Sequence, residues 1–140
     1  MVGCMTTWIL PNRTRALLVD DHPDVLVTTA AFLAAAGFDV VRAGDADAAL
    51  IQLASGQMFT LLVTDYAMPG LNGVDLATQA LERFPALKVV IISGYPSDAG
   101  LFNRPASVVL LSKPFRRAAL IECLQSLFAT GQANLPASGN

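Results

Sequence analysis

The chain has 140 residues, of which 54% are hydrophobic and 14% charged, and its formal net charge is −2. That balance fits one folded domain with a single sizeable core, and excludes a disordered chain or two full domains. No basic run offers a footprint for direct nucleic-acid binding, and no apolar stretch reaches the about 18 to 20 residues that would span a bilayer.

Residues 1–14 contain Trp8-Ile9-Leu10 but lack the basic start and long apolar core of a signal peptide. They read as an arm before a domain over residues 15–129, in a protein expected to be cytoplasmic. Arg15 to Val19 is a short apolar run ending on Asp20-Asp21, a buried strand with acids at its exit. Pro23 suits the first turn of a helix, Asp24 complements its positive end, and Leu26, Ala30, Leu33 and Ala34 recur at helical spacing until Gly37. Phe38 to Arg42 is a second strand. From Gly44 or Asp45 a helix runs through Ala48, Leu50, Ile51 and Leu53 to Ser55-Gly56. Thr60 to Asp65 is the third strand, and it delivers one carboxylate to a loop that breaks at Pro69-Gly70. Val74, Ala77, Leu81 and Phe84 mark a third helix, stopped by Pro85. Lys88 to Ile92, closing on Ser93-Gly94, and Val108 to Leu111, closing on Ser112-Lys113-Pro114, are the fourth and fifth strands. Between Ser93 and Val108, the residues Pro96, Gly100 and Pro105 leave little helical periodicity, so a fourth helix there is expected to be short or distorted. Phe115 to Ala129 is a last amphipathic helix with Leu120, Ile121, Leu124, Leu127 and Phe128 inward, followed by a flexible tail over residues 130–140.

Strands separated by helices imply an α/β fold, a doubly wound, five-stranded parallel sheet with helices on both faces. Asp20, Asp21, Asp65, Ser93 and Lys113 then gather at one edge, where ligands of such sheets bind. Three crowded carboxylates raise one another's pKa, and a divalent cation relieves the crowding. Oxygen donors select a hard ion, and a small octahedral ion that keeps waters and contacts phosphate is Mg²⁺. Lys113 suits a phosphoryl oxygen, Ser93 can donate a hydrogen bond to another, and Asp65 becomes a nucleophile for phosphoryl transfer.

Each residue also has an ordinary reading on its own. Asp20 and Asp21 could cap the next helix, Asp65 could be a solvated loop acid, Ser93 a turn residue and Lys113 a surface lysine. His22, the only histidine, adjoins the acid pair and invites reading as a metal ligand or phosphoryl donor, but a loop histidine is the better reading because the expected ion prefers oxygen. Arg116 and Arg117 read as a solvated helix start, and Tyr66 and Tyr95 either pack beside the site or gate water. Cys4 and Cys123 read as unpaired thiols, with Cys123 on an apolar helix face.

Leu-Leu-Val-Asp20-Asp21-His-Pro, Leu-Leu-Val-Thr-Asp65-Tyr-Ala-Met-Pro69-Gly, Val-Ile-Ile-Ser93-Gly94 and Leu-Leu-Ser-Lys113-Pro114-Phe115 together resemble the receiver domain of two-component response regulators. The resemblance runs from about Arg15 to Ala129 and implies the strand order 2-1-3-4-5. It further implies that Asp65 accepts a phosphoryl group from a histidine kinase or histidine phosphotransfer protein and signals to a downstream protein target. On the same pattern Asp21, Asp65 and the backbone carbonyl of Ala67 bind Mg²⁺, with Asp20 helping through water. Ser93 and Lys113 hold the phosphoryl oxygens, and the Lys113-Pro114 bond is cis. Turnover would be limited to the domain's own phosphorylation and dephosphorylation, so it is not expected to be an enzyme. The chain would be a free-standing receiver or a piece of a hybrid kinase.

One departure stands out. The aromatic residue that the family usually carries three positions before the strand-five lysine is Leu110 here. The switch is therefore expected to work through Ser93 and the loop Gly94-Tyr95-Pro96, biasing residues 94–107 between order and disorder. The alternative is a phosphorylation-independent interaction module. A haloacid-dehalogenase-like phosphatase would need an acid where Ala67 stands, and a dinucleotide-binding module would need a glycine-rich loop after strand one.

Overall fold

The computed structural model describes residues 14–94 and 99–133. The arm up to residue 13, the tail from residue 134, Tyr95 and Pro96 lie outside the described residues. Five strands and four α-helices alternate as β1 (Thr14–Val19), α1 (Pro23–Ala35), β2 (Phe38–Ala43), α2 (Ala46–Leu53), β3 (Leu61–Asp65), α3 (Gly73–Arg83), β4 (Lys88–Ser93), β5 (Val109–Ser112) and α4 (Arg117–Ala133), with a short 3-10 helix (Ala99–Asn103) before β5. The sheet is parallel throughout, in the order β2-β1-β3-β4-β5.

Successive strand residues point to opposite faces, and the core is accordingly in two layers. Leu17, Val19, Leu62, Val89 and Ile91 pack on one face beneath Ala46, Ala49 and Leu53 of α2 and Val74, Ala77 and Ala80 of α3. Ala16, Leu18, Leu61, Val63, Val90 and Ile92 pack on the other, beneath Leu33 of α1 and Leu120, Leu124 and Leu127 of α4. With both faces covered, the central strands read as unbroken apolar runs.

Two helix faces differ from expectation. In α1 the buried positions are Thr29 and Leu33, with Ala36 buried at the cap, while Ala34 is exposed. In α2 they are Ala46, Ala49 and Leu53, and Ile51 is 67% exposed. Both helices are rich in alanine, which satisfies either face, so apolar spacing alone does not set their rotation. Element ends also shift: α4 begins at Arg117 rather than Phe115 and continues to Ala133, so residues 130–133 belong to the helix and not to a tail, and Val108 stands outside β5, buried against the α2/α3 layer. The capping signal was clearer, since Asp45 accepts a 2.8 Å bond from the Ala48 amide and fixes the start of α2. Leu120, Leu124 and Leu127 are buried as expected, with Ile121 and Phe128 partly so. Cys123 is an unpaired, half-buried thiol in that layer, and burial raises its pKa.

Among the described residues of the interval before β5 there is a 3-10 helix and no α-helix, as expected. Leu101 anchors it, fully buried in the α2/α3 layer. Arg104 closes the following turn, donating from Nη1 to the Leu101 carbonyl at 3.0 Å and from Nε to the Val108 carbonyl at 3.3 Å. Proline and glycine deny this segment an α-helix, and side-chain bonds hold the chain instead.

Candidate functional site

Strand register assembles the site. Val19 pairs with Thr64, so Asp20 leaves β1 beside Asp65 at the end of β3. Asp65 pairs with Ile92, which puts Ser93 one step further on β4. Ser93 pairs with Ser112, so Lys113 emerges next to it, and the Lys113 amide donates to the Ser93 carbonyl at 2.9 Å. The expected residues therefore meet at one edge. The Lys113-Pro114 bond is cis.

Asp20, Asp65 and Ser93 are buried, at 2%, 3% and 3% exposure, and Asp21 is exposed. Lys113 Nζ lies 3.1 Å from Asp65 Oδ1 and 3.9 Å from Asp20 Oδ2. One ammonium thus serves two buried acids. Burial pushes the Asp65 carboxyl above its ordinary value, the hydrogen bond from Lys113 pulls it back, and the neighbouring charges of Asp20 and Asp21 push it up again. The net direction is upward, with burial the largest cause, so Lys113 does not fully offset the cost of an ionised Asp65.

The loop after β3 is tightly held. Tyr66 donates its amide to the Ile92 carbonyl at 2.8 Å, and its own carbonyl accepts from the Gly73 amide at 2.9 Å. Thr64, fully buried, donates its hydroxyl to the Asp65 carbonyl at 2.9 Å. Asn72 caps α3 by accepting from the Asp75 amide at 2.9 Å. Ala67 follows in the exposed turn. Sequence reasoning missed Thr64, Asn72 and Arg104; only Asn72 left a readable sign, an Asx residue directly before a helical run. The half-buried Tyr66 side chain lies against Gly100 of the 3-10 helix, where an added Cβ would overlap its hydroxyl.

His22 stands closer to the acids than a plain loop residue would. It is the N-cap residue of α1, with no side-chain cap bond. Its amide donates to Asp20 Oδ1 at 2.9 Å, and its Nδ1 lies 3.1 Å from Asp20 Oδ1 and 3.2 Å from Asp21 Oδ1. Among the described residues, Asp20, Asp21, His22 and Asp65 each offer a ligand atom within 4.8 Å of the others. Such a donor set, mostly carboxylate and short of positive charge, fits a small divalent cation.

Comparison with known proteins agrees with this geometry. A family model for the response regulator receiver domain matches residues 16–125. The chain is 31% identical over 115 residues to the response regulator receiver protein CpdR of Brucella abortus, covering 81% of this chain and 95% of that one. It is 32% identical over 119 residues to the chemotaxis protein CheY of Pseudomonas aeruginosa, again covering 81% and 95%. It is also 30% identical over 112 residues to the sensor protein TorS of Escherichia coli, but spans only 12% of that protein. Among solved structures, a response regulator receiver protein from Sinorhizobium medicae matches with a TM-score of 0.78 at 29% identity, over 84% of this chain and 96% of that one.

The fold and the acidic edge thus define a two-component signalling module of the doubly wound α/β class. The chain belongs to the response regulator receiver domain family, with Asp20, Asp21 and Asp65 forming its acidic pocket. No helix among the described residues is long and apolar enough to cross a membrane.

Proposed function

We propose that this domain, over residues 15–129, accepts a phosphoryl group on Asp65 from a histidine kinase or histidine phosphotransfer protein and passes the signal to a downstream protein. The observation that carries the reading is the Lys113 ammonium 3.1 Å from a buried Asp65 carboxylate, with a second and third acid alongside. Asp21, Asp65 and the Ala67 carbonyl would hold Mg²⁺, with Asp20 steering it. When bound, the ion supplies positive charge against the carboxylates and the phosphoryl oxygens. An Asp65 oxygen attacks phosphorus as the bond to the donor's imidazole nitrogen breaks, and the departing imidazole takes up a proton. Lys113 and the Ser93 hydroxyl hold the transferring oxygens. Attack by water later returns Asp65 and inorganic phosphate, so the domain turns over only its own modification.

The test is intact-mass spectrometry after incubation with acetyl phosphate and Mg²⁺. Wild type is expected to gain one phosphoryl mass, and Asp65→Asn or added chelator to abolish it. No gain in wild type, with Mg²⁺ binding shown and hydrolysis slow enough to observe the product, would instead indicate a phosphorylation-independent interaction module.

Output is proposed to run through the segment that replaces a regular fourth helix, because Leu110, at the usual aromatic position, has no hydroxyl to move between core and water. Amides in residues 99–107 are expected to change their hydrogen-exchange protection when a phosphoryl analogue binds. Identical exchange in both states would rule out this route.

A further inference from the structure

Among the described residues, His22 lies against the acids yet has no role in this phosphoryl chemistry. Its placement is built in by the backbone. The amide bond to Asp20 Oδ1 turns the residue back over the acids, and Pro23 starts α1 immediately behind it. Nδ1 then lies 3.1 Å and 3.2 Å from one oxygen each of Asp20 and Asp21. The Asp20 contact is a hydrogen-bonding distance; donor atoms about 2.1 Å from an octahedral ion sit about 3.0 Å apart along an edge of the octahedron, so the 3.2 Å between Nδ1 and Asp21 Oδ1 matches neighbouring ligands of one ion. The ring side chain is 62% exposed, so its proton can reside on Nε2 towards water while Nδ1 presents its lone pair.

We propose that His22 is a nitrogen ligand of the cation site and shifts its preference from Mg²⁺ towards divalent transition ions. The proposal rests on the reading of this edge as the cation site of a receiver. An all-oxygen set favours hard ions, whereas one imidazole adds affinity along the series from Mn²⁺ to Ni²⁺ and Zn²⁺ and contributes little to Mg²⁺.

Because His22 is the only histidine in the chain, its imidazole nitrogens give one unambiguous set of NMR signals in protein made without an oligohistidine tag. Two measurements on the full chain test the proposal. Calorimetric titration of wild type and His22→Ala with Mg²⁺ and Ni²⁺ is expected to show the Ni²⁺-to-Mg²⁺ affinity ratio falling by about tenfold or more in the variant, with Mg²⁺ affinity nearly unchanged. Nitrogen-15 spectra with Zn²⁺ are expected to move the Nδ1 resonance, and Asp21→Asn to weaken that response. The variant removes no helix cap bond, so its fold is expected to persist. An unchanged affinity ratio together with an unmoved imidazole signal would overturn the proposal while leaving the receiver reading intact. Wild type that binds none of these ions would overturn both.

Discussion

In the absence of divalent ions at neutral pH, Asp65→Asn is expected to be more stable than wild type by about 0.5 to 2 kcal/mol, and Lys113→Ala less stable by about 1 to 3 kcal/mol. Both follow from the upward shift of Asp65. Burial and the charges of Asp20 and Asp21 together cost the ionised carboxylate more than Lys113 returns. The folded state therefore holds the Asp65 proton more tightly than the unfolded chain does. Between the ordinary carboxylate value of 3.8 and the raised folded value, the native state binds more protons, so stability falls as pH rises through that window. Above it the cost is complete; below 3.8 it is absent. Asparagine keeps the shape and drops the charge, and Lys113, 27% exposed, can solvate its ammonium. Removing Lys113 takes the only ammonium from the buried pair and enlarges the same cost. Urea unfolding in chelator at pH 7 and near pH 3 checks this, since the Asn advantage should vanish on acidification. Saturating Mg²⁺ should reverse the order, because an ion held by the folded acids stabilises wild type more than a variant lacking one of them. An Asn variant no more stable than wild type at pH 7 in chelator would mean that the acids are not in conflict.

Much of the site is legible in the amino-acid sequence itself. Asp20, Asp65, Ser93 and Lys113 each sit where an apolar run stops, and in a parallel sheet those stops share one edge. Periodicity also located every strand: β3 and β4, covered on both faces, carry charge only at their ends, and the edge strand β2 showed by its alternation in spite of Asp39 and Arg42. What it could not supply was rotation and close approach. Ala34 and Ile51 satisfy a helical pattern on paper, but Ala36 and Ala49 are the residues that reach the sheet. Nothing in the spacing of Asp20, Asp21 and His22 says that one imidazole nitrogen bridges two acids; that follows from the chain reversal into α1. Strand order came through the family resemblance, since alternation alone allows several parallel orders.

Gly73→Ala is expected to destabilise the domain by about 1 to 3 kcal/mol and to slow phosphoryl uptake at Asp65 by tenfold or more, roughly, whereas Gly100→Ala should do much less of either. A Cβ at Gly73 would stand 2.6 Å from the Asp65 carbonyl oxygen and 3.0 Å from Tyr66 Cα. Both obstacles are backbone, and neither can retreat cheaply. Asp65 is paired to Ile92 in the ladder, Tyr66 donates to the Ile92 carbonyl, and Gly73 itself donates to Tyr66. Relief would have to come from lifting α3 away from β3, which moves the peptide that carries Asp65, the proposed phosphoryl acceptor. At Gly100 the obstacle is the hydroxyl end of the Tyr66 side chain, which can rotate towards solvent without moving Asp65. Chemical unfolding of the two variants, with the rate of mass gain from acetyl phosphate, separates the cases. If Gly73→Ala were phosphorylated as fast as Gly100→Ala, the close seat of α3 on the Asp65–Tyr66 peptide would be a packing detail. A selective loss in Gly73→Ala would show that the first residue of α3 sets the position of the proposed acceptor Asp65, through contact with its backbone.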